Sequence, residues 1–230
     1  MDVEIWSDIA CPWCYIGKRR FEAALAQFEH ADAVRVSWRS FELDPSAPLE
    51  RTGDRSERIA RKYGLPLERV REMEQHLLDQ ASGEGLDFHF EIARSGTTFD
   101  GHRLIHLAAD RGLGDEMKER LLRAYFAEGS LIGDHDSLVA LGAEVGVPDD
   151  EIRQMLAGDR YAEQVREDER TAAEFGITSV PTFVVDRERG ISGAQSPELL
   201  LKLLRTGWES RPEVSVGVVP DGESCGVDGC

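Results

Sequence analysis

The chain has 230 residues, with 27 Lys and Arg against 44 Asp and Glu, a formal net charge of −17. A surface this acidic repels nucleic acid and anionic membranes and argues against both as partners. The length suffices for a sizeable core, as one domain carrying an insertion or as two small ones, and no stretch approaches the roughly 18 apolar residues of a membrane span.

Val3, Ile5 and Ile9 mark a first strand, and Met1 runs almost directly into it. No basic segment with an apolar run and a small-residue cleavage site precedes it, so the expected location is the cytoplasm. Cys11-Pro12-Trp13-Cys14 follows at once, and behind it Phe21, Leu25 and Phe28 recur at helical spacing. The strand thus delivers Cys11 to a helix N-terminus, where unpaired backbone N–H groups and the macrodipole favour a thiolate. Two intervening residues allow Cys14 to reach back and resolve a mixed disulfide. Lys18, Arg19 and Arg20 read as a solvated face of this helix. Val34, Val36 and Trp38 alternate as a second strand, parallel to the first if the connection is a right-handed crossover.

From about Pro45 to Gly176 the texture is helical. Gly64, Gly112, Gly129 and Gly146 each stand after a charged amphipathic run, as helix stops do. Leu121, Leu122, Tyr125 and Phe126 mark one apolar face, and Leu138, Leu141 and Val145 another. Thr182-Phe183-Val184-Val185 restores a strand, Asp186 to Gly190 reads as a turn, and Ile191 opens a short second strand, which together make a hairpin. Ser196-Pro197-Glu198 is a strong helix start, with Leu199, Leu200, Leu203 and Leu204 forming the buried face. Beyond Trp208 the chain reads as an irregular tail with no Lys or Arg after Arg211.

The fold class is therefore α/β. Residues 1–45 and 176–208 form a discontinuous domain, residues 46–175 a large helical insertion, and residues 209–230 a tail carrying Cys225 and Cys230. Cytosolic thiols seldom form structural disulfides, so a close pair such as Cys11 and Cys14 points to redox catalysis or metal binding. A structural zinc site needs four ligands, and the Cys225/Cys230 spacing is wider than usual for one. A zinc-binding interaction module stays as an alternative; no metal site is assigned. Cys225 and Cys230 sit in Gly-rich sequence that could close a small ring, and their placement suggests a second redox couple that exchanges with Cys11.

Strand, Cys-x-x-Cys, helix, strand, helical insert, then Thr178-Ser179-Val180-Pro181-Thr182 before a hairpin and closing helix resembles the thioredoxin superfamily. More narrowly, residues 1–208 resemble its DsbA-like branch, in the FrnE subgroup of cytosolic disulfide oxidoreductases. The resemblance implies a thioredoxin-like fold with Pro181 in cis beside the cysteines. Pro181 contributes no N–H, and Val180 would offer backbone groups to an extended substrate. With Pro12 and Trp13 they would form the substrate-binding surface. Phe99-Asp100-Gly101-His102-Arg103 resembles a segment facing the active site in this branch, with Thr97 and Gly101 where Asn and Ala are more typical; it adds His102 to the candidate substrate-binding residues.

The activity implied is that of a protein disulfide oxidoreductase or isomerase acting on disulfide- or thiol-containing proteins. No cofactor is obligatory, and glutathione or a thioredoxin-type electron donor would re-reduce the pair. Kappa-class glutathione transferases and 2-hydroxychromene-2-carboxylate isomerases share the insert but carry serine at the Cys11 position, which leaves a glutathione-dependent transferase or isomerase as the rival enzyme class. The oligomeric state stays open.

Overall fold

A computed structural model describes residues 1–211; Cys225 and Cys230 lie outside the described residues. In chain order the elements are β1 (Asp2–Ser7), α1 (Pro12–Leu25), β2 (Arg35–Ser40), α2 (Arg55–Tyr63), α3 (Leu67–Gly83), α4 (Phe99–Ala109), α5 (Gly114–Ala127), α6 (His135–Val145), α7 (Asp149–Ala157), α8 (Ala162–Glu174), β3 (Thr182–Val185), β4 (Arg189–Ser192) and α9 (Pro197–Glu209). The four strands form one sheet in the order β2-β1-β3-β4. β1 pairs parallel with β2, as a strand-helix-strand crossover requires, and antiparallel with β3. This is the thioredoxin-like fold with a helical insertion that the sequence implies.

The alternation of β1 sets the two faces of the sheet. Val3 and Ile5 pack with Phe21 of α1, with Phe28 just beyond that helix, and with Leu200 and Leu204 of α9. Trp6 faces the other way, among Cys11, Cys14, Ala172, Ile177 and Val180, and its indole N–H donates to the Asp168 carbonyl of α8 at 2.9 Å. Each fully buried side chain of this size contributes about 1.5–3 kcal/mol. β1 is therefore the element on which the rest is built.

The helices between β2 and β3 share a core with α1 and the end of the β1 loop. Ile9, Tyr15 and Ile16 sit in the same cluster as Leu104, Leu121, Phe126, Leu141 and Ile152. Asp54 caps α2 by accepting from the Glu57 N–H, and Gly64 ends that helix in the left-handed conformation. Ser196 caps α9 by accepting from the Leu199 N–H, with Pro197 in the first turn, as the sequence predicts. No helix of the described residues is long and apolar enough to cross a membrane.

Four expectations need correction. Leu199 does not join the buried face of α9: it is 41 % exposed, because Leu200 and Leu204 occupy the side of the helix that faces the sheet. The first strand ends at Ser7 and not at Ile9, because Asp8 turns the chain by accepting from the Leu43 and Ala10 N–H groups. The hairpin turn is shorter than Asp186–Gly190: Asp186 and Arg187 both take positive φ, 47° and 59°, so pairing resumes at Arg189. The Lys18-Arg19-Arg20 face is not solvated. Lys18 is only 2 % exposed and pairs with Glu22, Asp115 and Glu119, while Arg19 pairs with Glu22 and Glu119, and Arg20 with Glu84. The insertion packs α3 and α5 against the face that periodicity assigns to water.

Candidate active site

Cys11 is the residue before α1, with extended backbone (φ −92°, ψ 114°), and Pro12 occupies the first turn, where a missing N–H costs nothing. Both thiols are free and buried, Cys11 at 5 % exposure and Cys14 at 0 %. Trp13 is half-buried, its ring tilted against His76 at 6.4 Å. The Val180–Pro181 peptide is cis, and the Cys11 Sγ lies 3.7 Å from the Val180 carbonyl oxygen. The structure thus brings Cys11, Pro12, Trp13, Cys14, Val180 and Pro181 together from the two ends of the described chain.

One residue absent from the sequence reading makes that approach feasible. A Cβ on Gly17 would come within 2.7 Å of the Pro181 ring, a contact that folded proteins essentially never tolerate. Gly17 thereby lets the cis-proline loop lie against α1. Nothing in the helical spacing of α1 distinguishes this glycine from a neutral one.

His102 is placed differently from the expectation that it lines the substrate surface. It is 2 % exposed in α4, and its Nε2 lies 3.4 Å from Asp8 Oδ1. Gly101 beside it explains the departure from the commoner alanine, since a Cβ there would meet Ile9 at 2.7 Å and Ile132 at 2.9 Å. Burial lowers the His102 basicity despite the pull of Asp8, so the ring is neutral and donates to the carboxylate. Asp8 is in turn held below the usual carboxylate range. Burial opposes this, but the hydrogen bonds from His102, the Leu43 N–H and Thr98 outweigh it.

Beneath the thiols lies Lys118, also absent from the sequence reading. It belongs to α5, is 1 % exposed, and its Nζ donates to the Ser7 carbonyl at 3.3 Å while lying 5.6 Å from the centre of the Trp38 ring. Burial pulls its pKa down to about 8, against the attraction of Cys14, Asp8 and Cys11. Its lysine could have been suspected from one sign only: Lys118 falls one turn before Leu121 and Leu122, on the apolar side of its helix.

The two thiols titrate as one site. Cys14 lies below the ordinary thiol value: burial works against ionisation, but the Cys11 S–H hydrogen bond, the Lys118 charge, the Ser7 hydroxyl and the Asp8 backbone more than compensate. Cys11 is pushed well above it, first because its proton serves that hydrogen bond and then by burial. Lys118 and the donors around the inner sulfur thus stabilise the negative charge of the reduced pair as a whole.

A family model, the DSBA-like thioredoxin domain, matches residues 2–205. The chain belongs to that family. Among solved structures, a probable DsbA oxidoreductase from Streptomyces coelicolor is 44 % identical, with a TM-score of 0.88 over 100 % of this chain and 98 % of that one. The DsbA-like fold also appears in the cytosolic disulfide reductase DsbM from Pseudomonas aeruginosa, 21 % identical over 91 % of this chain and 99 % of its own, TM-score 0.64; DsbM also has a structure with GSH. The uncharacterized protein YwbO of Bacillus subtilis is 28 % identical over 209 residues, 88 % of this chain and 94 % of its own. A thiol-disulfide oxidoreductase-type enzyme is the class that the family model and the Streptomyces structure support.

Proposed function

We propose that this DsbA-like protein is a cytosolic thiol-disulfide oxidoreductase or isomerase that exchanges disulfides with protein substrates through Cys11 and Cys14. The observation that carries this reading is the juxtaposition of two free thiols at a helix start with the Val180 carbonyl and with a buried lysine behind them. Cys11 is the attacking sulfur because it is the more accessible of the two. Loss to solvent of the proton of Cys11, whose Sγ donates to the Val180 carbonyl at 3.7 Å, leaves the thiolate on Cys11. That thiolate attacks one sulfur of a substrate disulfide, forming a mixed disulfide and releasing the other sulfur as a thiolate. Cys14 then attacks Cys11, the mixed disulfide breaks, and the second substrate thiol departs. Two electrons pass to the substrate, its two thiolates take one proton from Cys14 and one from solvent, and the protein is left as a disulfide.

A glutathione- or thioredoxin-type thiol would reverse that last state, and the same steps run backwards donate a disulfide. Val180, beside Pro181, presents backbone to an extended substrate, with Pro12 and Trp13 alongside. A tail couple of Cys225 and Cys230 would accept or supply electrons by the same exchange. The presence of both Cys11 and Cys14 favours this chemistry over the transferase and isomerase rivals, whose serine forms no disulfide.

The test is Cys14→Ser against wild type in an insulin-reduction assay. The variant is expected to lose turnover and to accumulate a mixed disulfide at Cys11; unchanged activity would overturn the reading. A redox titration of protein ending at Arg211 provides the second arm. It should keep the Cys11/Cys14 couple while changing the rate of its re-reduction, and identical kinetics would remove the tail couple.

A further inference from the structure

A cavity of about 460 Å³ opens beside Ala10, the residue before Cys11, with Asp8 and Thr98 in its wall. Five cations line it, Arg51, Arg55, Arg58, Arg61 and Lys62, against two carboxylates, Asp8 and Asp44. In a chain of net charge −17 this is a sharp local inversion of sign. Some of that charge is already neutralised, since Arg51 pairs with Asp44 and Arg55 with Glu74. Arg58 donates instead to the Thr52 and Gly53 carbonyls and to the Ser95 hydroxyl. Among the described residues, neither Arg58, Arg61 nor Lys62 has a carboxylate within ion-pair distance.

The shape adds a second constraint. The cavity runs on into a neighbouring one of about 500 Å³ that shares Arg51, Arg55, Arg58 and Ser95. Leu43 in its wall is 48 % exposed. Small ligands are usually enclosed on most sides, with a large share of their surface buried. An open trough that starts one residue before Cys11 with a cationic wall and continues along α2, where Glu50, Asp54, Glu74 and Glu91 join the arginines, instead fits a length of chain whose acidic part lies at the Arg58, Arg61 and Lys62 end.

We infer that this trough binds an acidic segment of the polypeptide substrate, whose carboxylates pair with Arg58, Arg61 and Lys62 while its cysteine meets Cys11. The inference rests on the disulfide-exchange reading and names the substrate class for it. An acidic protein surface is otherwise repelled by this molecule, and the trough supplies the local attraction that steers one toward the thiols.

The experiment compares two disulfide-linked model peptides, identical except for Glu or Gln on either side of the cysteine. At low ionic strength kcat/KM for the Glu peptide should exceed that for the Gln peptide about tenfold, and the two should converge at high salt. Arg61→Gln with Lys62→Gln, both at exposed positions, should collapse the ratio. Equal rates for the two peptides, or a ratio that survives the double substitution, would overturn the inference. So would a preference confined to glutathione disulfide with no discrimination between peptides. A labelled Glu peptide with Ser in place of Cys, followed by fluorescence anisotropy, reports binding without any thiol chemistry. Salt-sensitive binding that weakens in the double variant supports the trough even if neither peptide is reduced, a result that would sink the redox reading alone; absence of binding sinks the trough.

Discussion

At Gly17 the helix and the cis-proline loop are separated by the width of a missing methyl group. Gly17→Ala would set a Cβ 2.7 Å from the Pro181 ring, and a pyrrolidine has no rotamer to escape into, so the loop itself must move. Overpacking of this kind costs about 1–3 kcal/mol, measurable by denaturant unfolding, and turnover of peptide disulfides should fall by more than turnover of dithiothreitol. Equal losses on both would mean that Gly17 serves packing only. Lys118 acts on the other side of the thiols. Lys118→Met keeps the bulk and removes the charge, so the first proton of the Cys11/Cys14 pair should leave about one pH unit later or more, with exchange at neutral pH slowed about tenfold. Thiolate ultraviolet absorbance against pH measures this directly, and an unmoved midpoint would remove Lys118 from the account.

At the scale of the element, α1 shows what a sequence can and cannot convey. Its start was legible, because a Cys-x-x-Cys behind a strand with proline in the first turn has few other structural meanings. Its apolar face was legible too, from Phe21, Leu25 and Phe28. Its charged face was not, since periodicity tells which side of a helix is polar but not whether other helices pair with that side. Lys18, Arg19 and Arg20 found Glu22, Glu84, Asp115 and Glu119 there. Asp115 and Glu119 belong to α5, the helix that also delivers Lys118. The hairpin was legible to within two residues, and the misplaced boundary came from Asp186 and Arg187, two residues whose left-handed conformation composition does not announce. The basic trough was not legible, because its cations are interleaved with acids along the chain, and only the fold separates them.

For the whole molecule, net charge sets the response to salt, whereas single buried acids set the response to pH. Glu42 is the clearest case. One of its oxygens pairs with Arg166, while Oε1 and the neighbouring Glu169 Oε1 are buried without a partner. Burial raises its pKa from 4.5 to about 7, only partly offset by Arg166 and reinforced by Glu169 and Asp8. The folded state therefore binds the proton more tightly than the unfolded chain, so this group's contribution to stability is full below about pH 4.5 and is lost as pH rises through 7. At 1.36 kcal/mol per unit, discounted for relaxation, the loss is about 1–3 kcal/mol. Glu42→Gln removes the titration, so its stability relative to wild type should rise between pH 4.5 and pH 8 in urea melts. A constant difference across that range would show that the folded state does not raise the Glu42 pKa into it.

The common core of α1 and the insertion has a consequence for how such a protein can change its chemistry. The dipeptide between the two cysteines is one place where the preference for dithiol or disulfide can be adjusted. Lys118, 111 residues beyond Ser7 whose carbonyl it touches, is a second and independent one. Because the charge of Lys118 favours the thiolate of the reduced pair and has no such partner in a disulfide, the disulfide-exchange reading proposed above makes substitutions in α5 shift the balance between dithiol and disulfide while Cys11-Pro12-Trp13-Cys14 stays unaltered. Two chains with identical motifs could then favour opposite reactions, and the difference would be written in a side chain that is 1 % exposed.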